Sequence, residues 1–245
     1  MPRDTIKLEN KKDTLMIAHR GLFVKEWGNS IPAFEDAAKR THVGIECDIH
    51  VTKDKQFIVT HDDNIVRITG VSMVVEDHTL EEIRAIPHKP LYADTHYGDA
   101  YPLRIPTLDE YLDICMSGDK ICVIELKNRF EIEDTKRVID KLKEANYLDK
   151  VIFISFDLQN CIDIRALLPD QPVQFLTEHY GRDILEILDK YCFDLDVYYK
   201  SLAPTDIKEV HEHGHKVNAW TVDSPLHAQY FIDFDIDYIT TNYLE

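Results

Sequence analysis

The chain is organised around residues 46–62, which read ECDIHVTKDKQFIVTHD. Alternate side chains of an extended strand point the same way, so Glu46, Asp48 and His50 share one face. Two carboxylates two residues apart present hard oxygen ligands, which suit Mg²⁺ or Ca²⁺ better than a soft metal. This stretch therefore predicts a strand that ends in a site for a divalent cation.

Polar residues also follow the ends of the neighbouring apolar segments. A second apolar alternation follows a turn at residues 53–55 and ends in His61-Asp62. The first apolar strand of the chain ends in His19-Arg20-Gly21. Histidine exchanges protons near neutral pH, so two strand-terminal histidines beside a pair of carboxylates indicate an active site.

Outside this stretch, strand and helix patterns alternate along most of the chain. Eight strands are expected, not counting an extra one at 56–60, and they span residues 14–18, 45–49, 120–126, 151–155, 173–176, 194–198, 216–221 and 238–241. Helices are expected between them, at residues 33–40, 108–116, 131–145, 158–168, 182–191, 204–213 and 225–234. Eight such units predict an α/β fold of the TIM (β/α)8 barrel type.

The length of 245 residues suits one barrel domain that spans residues 1–245. Residues 71–106 interrupt the alternation after the second strand unit, with four prolines and with Tyr92, Tyr97 and Tyr101. Long irregular segments in a compact domain usually serve function. We therefore expect an inserted loop or subdomain at 71–106, whose tyrosines are candidates for contact with substrate.

The net charge and the cysteine pattern indicate which binding partners and which cellular location to expect. The 28 Lys+Arg and 45 Asp+Glu residues give a net charge of −17, which repels nucleic acid and anionic membranes. The five cysteines are scattered without C-x-x-C spacing, as is typical of reduced core thiols in a cytosolic protein. Residues 1–13 are polar, and no apolar run approaches the roughly 18 residues of a membrane span. We expect a cytoplasmic chain with a small-molecule substrate, no nucleic-acid partner and no stable membrane insertion, while a homo-oligomeric state stays open.

Catalytic residues of such barrels lie at the C-terminal ends of the strands. A third carboxylate, Glu125, ends the strand that follows the one carrying Glu46 and Asp48, and completes a hard-cation site. Lys127 shares the face of Glu125, and Arg20 can add a forked contact to the same anion. The combination predicts an anionic substrate, most naturally a phosphate ester. Trp220, also at a strand end, is a candidate for lining the substrate pocket.

An ordered set of motifs resembles the glycerophosphodiester phosphodiesterase family from about Thr14 onward. The set comprises His19-Arg20-Gly21, Glu46-x-Asp48, Thr52-x-Asp54, His61-Asp62, Arg67, Thr69-Gly70, Glu125-Leu126-Lys127, Ser155-Phe156, Trp220-Thr221-Val222 and Asp237-Tyr238-Ile239-Thr240. The sequence departs from the family pattern at two places. Gly28-Asn29-Ser30 replaces the usual Glu-Asn-Thr, and Thr241-Asn242 stands where Thr-Asp followed by Pro is commoner.

The resemblance implies a TIM barrel with an insertion after the second strand, and hydrolysis of glycerophosphodiesters to glycerol 3-phosphate and an alcohol through a cyclic phosphate. It implies that His19 and His61 form the acid/base pair, in an order that the sequence leaves open. It further implies that a divalent ion, Mg²⁺ or Ca²⁺, is bound by Glu46, Asp48 and Glu125. It implies that the phosphate is bound by Arg20 and Lys127.

Three other functions are weighed against this hypothesis. A glycoside hydrolase could use Glu46 and Glu125 as acid and nucleophile, but it leaves the paired histidines unexplained. A catalytically silent binder of phosphodiesters has no need of an intact set of two histidines and three acids. A phospholipase D-like enzyme acting on whole lipids would fit an exported, disulfide-bearing chain better.

Overall fold

Eight parallel strands close into a barrel in the computed structural model, which describes residues 4–23, 27–89 and 103–245. The strands of these residues are β1 Leu15–Ala18, β2 Gly44–Val51, β3 Phe57–Val59, β4 Ile121–Leu126, β5 Val151–Ser155, β6 Val173–Thr177, β7 Asp194–Tyr198, β8 Val217–Trp220 and β9 Tyr238–Thr241. Hydrogen-bonded neighbours run in the order β1-β9-β8-β7-β6-β5-β4-β2, and parallel pairing of β1 with β2 closes the ring. The predicted TIM barrel is confirmed.

The extra strand β3 lies outside the ring and pairs antiparallel with the far half of β2. The first half of β2 pairs with β1, where Ala18 lies opposite Ile45. The second half pairs with β3, where Ile49 lies opposite Val59 and Val51 lies opposite Phe57. One long strand therefore belongs to both the barrel and an antiparallel ladder.

Helices cover the outside of the barrel. They are α1 Ile31–Ala38, α2 Val66–Thr69, α3 Leu80–Arg84, α4 Leu108–Ser117, α5 Ile132–Glu144, α6 Leu158–Leu167, α7 Arg182–Tyr191, α8 Pro204–Glu212 and α9 Pro225–Asp233. Side-chain oxygens satisfy free N–H groups at several helix starts. The Ser30 side chain accepts a hydrogen bond from the Ala33 N–H, and Thr107 forms a capping box with Glu110 at the start of α4.

The period of two along each strand sorts side chains between two cores. On β2, Ile45, Cys47 and Ile49 join the large core between the barrel and the helices. Ile17, Val123, Ile152, Ile154, Leu176 and Tyr238 form a second core. On β2 and β4 the carboxylates alternate with residues of the large core, so they point into the barrel.

The described residues of 71–106 include a 3₁₀ turn, Val75–Asp77, and helix α3. Val75, Ile83 and Ile105 pack with the isoleucines Ile58, Ile65 and Ile68 into a small separate core. Tyr92, Tyr97 and Tyr101 lie outside the described residues. One domain with an insertion at 71–106 remains a prediction.

Two further observations concern the surface and the thiols. None of the helices in the described ranges is long and apolar enough to cross a membrane. All five cysteines are free, and four of them are buried. Cys192 is exposed, because it ends α7 with a φ of 55° at the surface. The expectation of core thiols is therefore wrong for Cys192.

Candidate active site

Three carboxylates meet inside the barrel where β2 and β4 lie side by side. Asp48 is the direct register partner of Glu125, and Glu46 lies two residues earlier on β2. One oxygen from each of the three side chains lies within 4.8 Å of the others. Among the described residues this is the single cluster of histidine, cysteine or acidic groups that could hold a metal ion. Exposure is 3% for Glu46, 0% for Asp48 and 6% for Glu125.

Burial makes three adjacent negative charges costly. Burial and the charge of Asp48 raise the pKa of Glu46 well above its usual range, and they raise the pKa of Glu125 to about 8. Burial acts in the same direction on Asp48, but the nearby positive groups, Arg20 above all, hold its pKa below the usual range. The cluster thus needs more positive charge than the protein supplies.

A divalent cation fits this cluster. The donors are all carboxylate oxygens, which Mg²⁺ and Ca²⁺ prefer. Asp48 Oδ1 is buried and accepts no hydrogen bond from any described residue, so a lone pair is free to bind a cation. The chemistry of the donors and the uncompensated charge therefore agree.

Arg20 and Lys127, predicted to bind phosphate, lie against these acids. The backbone N–H of Arg20 donates to Glu46 Oε2 at 2.7 Å, and its Nε lies 3.2 Å from Asp48 Oδ2. Lys127 Nζ lies 2.9 Å from Glu125 Oε1 and 3.6 Å from Asp48 Oδ1. Both cations therefore border the space where an anion next to the metal would lie.

The turn after β1 requires glycine. Gly21 has a φ of 76°, and a Cβ there would lie 2.6 Å from the carbonyl carbon of Ala33 in α1. Any side chain would thus be strained by the backbone and would collide with the helix. The HRG motif consequently carries a structural requirement as well as two site residues.

Asn29 is a site residue that sequence reasoning did not identify. It is buried, and its Nδ2 donates to Asp48 Oδ2 at 2.7 Å. Its φ of 58° is a conformation that asparagine adopts more readily than most residues. The triplet Gly28-Asn29-Ser30 therefore keeps an asparagine bonded to Asp48, although the glutamate of the family pattern is absent.

His19 is held from the end of β9. Its backbone N–H donates to Thr241 O at 2.8 Å, and its Nδ1 lies 2.9 Å from Asn242 Oδ1. Asn242 Nδ2 in turn donates to Asp223 Oδ2 at 2.6 Å. Burial, with the charge of Arg20, lowers the pKa of His19 to about 4. Sequence reasoning missed Asn242 and Asp223, although both follow strand ends, where the rule for barrels places functional residues.

His61 is held by β3 and by an acidic neighbour. Thr60 N donates to Asp48 O at 3.0 Å, which carries the ladder up to the residue before His61. His61 Nδ1 lies 2.8 Å from Asp62 Oδ1, and Arg67 pairs with the same carboxylate. Burial lowers the pKa of His61, and the charge of Asp48 opposes this shift. Both histidines therefore neighbour residues bonded to the acidic cluster, because Arg20 N donates to Glu46 and Thr60 N donates to Asp48 O.

The ring of His50 lies against the backbone of His61. Its Nε2 lies 3.4 Å from the backbone carbonyl of His61. Burial lowers the pKa of His50. The sequence placed His50 on the same face as Glu46 and Asp48, and the geometry gives its ring a contact with the histidine that follows β3.

Trp220 ends β8 and forms an aromatic wall with two neighbours. Its ring lies edge-on to Phe156, with centroids 5.7 Å apart, and 5.4 Å from the ring of Tyr198. Phe156 is 45% exposed, so the wall reaches solvent. Trp220 Nε1 is buried without an acceptor among the described residues. Such a wall can contact the uncharged part of a substrate.

Comparison with known proteins gives a consistent result. The sequence pattern of the glycerophosphoryl diester phosphodiesterase family matches residues 19–245. A glycerophosphodiester phosphodiesterase of Caldanaerobacter subterraneus is 29% identical over 235 residues, which are 94% of each chain. One of Bacillus subtilis is 28% identical over 258 residues, covering 94% of this chain and 83% of its own.

Solved structures of similar proteins share the fold. A glycerophosphodiester phosphodiesterase of Parabacteroides distasonis superposes with a TM-score of 0.80 at 27% identity, covering 95% of this chain and 94% of its own. A phosphodiesterase of Oleispira antarctica, solved in complex with the product sn-glycerol-3-phosphate, gives a TM-score of 0.85 at 21% identity, with 94% and 93% covered.

Proposed function

The chain belongs to the glycerophosphoryl diester phosphodiesterase family, and from this we propose that it hydrolyses glycerophosphodiesters to glycerol 3-phosphate and an alcohol. The observation that carries the proposal is the convergence of Glu46, Asp48 and Glu125 inside one end of the barrel. The residue after His19 and the residue before His61 both bond to this cluster through their backbone N–H groups. A glycoside hydrolase would leave these imidazoles without a role.

Glu46, Asp48 and Glu125 would hold Mg²⁺ or Ca²⁺. When bound, such an ion offsets negative charge on the phosphoryl oxygens and lowers the pKa of a nearby hydroxyl. Arg20 and Lys127 would contact the non-bridging oxygens of the same phosphate. Trp220 and its aromatic neighbours would line the part of the pocket that holds the uncharged portion of the substrate.

The two histidines would move the protons. In the first step, one imidazole takes the proton of the glycerol hydroxyl next to the phosphate, and that oxygen forms a bond to phosphorus. The bond from phosphorus to the departing alcohol breaks, and the other imidazole protonates that alcohol. Water then opens the resulting cyclic phosphate with the histidine roles reversed, which restores both protonation states. Such transfers typically contribute about 10²–10⁴-fold to the rate.

The test is a panel of glycerophosphodiesters offered to protein stripped of metal, with and without Mg²⁺ or Ca²⁺. We expect glycerol 3-phosphate to form only when a divalent ion is present, and EDTA to abolish its formation. Undiminished hydrolysis in metal-free buffer would refute the metal assignment. Absence of hydrolysis for every member of the panel under all conditions would refute the function itself. A cytoplasmic location remains a prediction, and the oligomeric state stays open.

A further inference from the structure

Asn242 joins His19 to Asp223 in a chain of hydrogen bonds whose direction is fixed at one end. Asp223 Oδ2 accepts from Asn242 Nδ2 at 2.6 Å. Asp223 Oδ1 accepts from the Asn242 N–H at 2.8 Å and from Thr241 Oγ1 at 3.0 Å. An ionised carboxylate only accepts, so the amide nitrogen of Asn242 must face Asp223. The amide oxygen must then face His19.

That orientation determines where His19 carries its proton. An amide oxygen only accepts, so the Nδ1 of His19, at 2.9 Å from Asn242 Oδ1, must be the donor. In a neutral imidazole with a proton on Nδ1, Nε2 carries the lone pair. The described residues hold the His19 ring by its Nδ1 and leave Nε2 without a hydrogen bond.

We propose that Asn242 and Asp223 are positioning residues that hold His19 in the tautomer protonated at Nδ1, so that Nε2 is the atom that takes the proton of the attacking hydroxyl. This inference rests on the proposed function for its catalytic consequence. Its structural content, a single tautomer of His19, does not depend on the reaction.

The two histidines differ in what faces their Nδ1 atoms. His61 faces the carboxylate of Asp62, whereas His19 faces an uncharged amide. A carboxylate in contact stabilises an imidazolium more than an amide does. The charged groups that act on His19 are Arg20, Asp48 and Asp223. For His61 they are Asp48, Arg20, Lys127 and Asp62.

This difference orders the first step. His19 Nε2 takes the proton of the glycerol hydroxyl while that oxygen bonds to phosphorus. His61, once protonated, gives its proton to the alcohol as the bond from phosphorus to that alcohol breaks. His61, now neutral, then takes a proton from water as the water oxygen bonds to phosphorus. The bond from phosphorus to the glycerol oxygen breaks, and His19 returns its proton to that oxygen.

The tautomer is measured directly by ¹⁵N NMR of histidine-labelled protein at neutral pH, in metal-free and Mg²⁺-containing samples, with His19→Gln to assign the signals. We expect Nδ1 of His19 to carry the proton and Nε2 to have the chemical shift of an unprotonated ring nitrogen. A proton on Nε2, or an even mixture of the two tautomers, would overturn the proposal. This measurement stands even if no glycerophosphodiester is hydrolysed.

Kinetics of folded variants test the catalytic consequence. Asn242→Leu and Asp223→Asn should lower kcat by about 10–100-fold, the usual scale for losing a residue that orients a catalytic group, with little change in KM. The exchange variant Asn242→Asp, Asp223→Asn keeps an amide donor between the two positions and places a carboxylate against His19. It should keep most of the activity and shift the acid limb of the kcat/KM profile to higher pH, because a carboxylate favours the imidazolium. The exposed Asn10→Ala is the control. An unmoved acid limb in the exchange variant, or wild-type kcat in Asn242→Leu, would contradict the proposal.

Discussion

At the scale of single residues, the same type of side chain has opposite properties at two places inside the barrel. Asp48 has Arg20 and Lys127 beside it, and its pKa lies below the usual range. Asp196 on β7 is equally buried but has only Asn218 to favour its charge, so burial raises its pKa well above the usual range. Cations rather than depth decide which buried carboxylate is ionised.

Asp196→Asn should therefore change how stability depends on pH. In the wild type the folded state keeps a proton that the unfolded chain loses above about pH 3.9, so the free energy of unfolding falls by up to about 1.4 kcal/mol per pH unit until the folded-state pKa is reached. The variant lacks this loss and should gain stability over the wild type as pH rises. Urea unfolding between pH 4 and pH 8 measures the difference, with the exposed Asp140→Asn as control. A constant difference across this range would show that Asp196 is not neutral.

His19→Ala and His61→Ala should each remove a proton-transfer group. We expect turnover to fall by about 10²–10⁴-fold. Divalent-ion affinity should stay close to that of the wild type, because neither imidazole belongs to the carboxylate cluster. Steady-state kinetics and a metal titration on each variant provide the two measurements, and His179→Ala, at an exposed position, is the control. Turnover near the wild-type value would exclude that histidine from the mechanism.

The residues that sequence identified and those that it missed differ in kind. His19, Glu46, Asp48, His61 and Glu125 are ionisable and follow apolar strands, so local pattern alone placed them at one end of a barrel. The missed residues act through contacts between distant parts of the chain; they are Asn29, Asn242 and Asp223. Two of them, Asn29 and Asn242, carry uncharged amides. No local pattern shows that an amide will meet a particular carboxylate or imidazole.

At the scale of elements, local chemistry allowed most boundaries to be predicted. Strands β5, β7 and β9 and helix α7 begin and end where the sequence placed them, and other elements differ by a few residues. Periodicity and capping are properties of neighbouring residues, which a sequence displays directly. The short helices α2 and α3 were missed, because each has too few residues to show a period.

The capping box of α4 gives a test at this scale. Thr107 N donates to Glu110 Oε2 at 2.8 Å, and Glu110 N donates to Thr107 Oγ1 at 3.2 Å. Thr107→Ala should lower the free energy of unfolding by about 1 kcal/mol, whereas Thr107→Ser should keep most of it because it retains the hydroxyl. Urea unfolding compares the two variants. Equal stability of both would mean that the hydroxyl contributes nothing to the helix start.

At the scale of the whole molecule, ion binding by the acidic cluster would stabilise the barrel. An ion that binds the folded chain alone adds about 2.7 kcal/mol at one hundred times its dissociation constant. The cluster joins neighbouring strands of a closed ring, so the gain belongs to the whole fold.

We accordingly expect the midpoint of thermal unfolding to rise as Mg²⁺ or Ca²⁺ is added to metal-free protein. The double variant Glu46→Gln, Glu125→Gln should lose this rise, because two of the three ligands are replaced. Glu133→Gln, at an exposed position of α5, should keep it. Scanning calorimetry over a range of ion concentrations provides the measurement. A rise of equal size in the double variant would assign the binding to another part of the surface.

The bonding of strand β3 determines which substitutions can move His61. It is bonded to β2 on one side and, through Ile58 and Val59, to the chain at Pro106 and Thr107 on the other. His61 is thus fixed relative to Asp48 by backbone on both flanks. Val75 and Ile83 pack in one core with Ile58 of β3, so truncating either side chain should loosen the strand that carries His61, whereas a substitution at the exposed Glu81 should leave the imidazole in place.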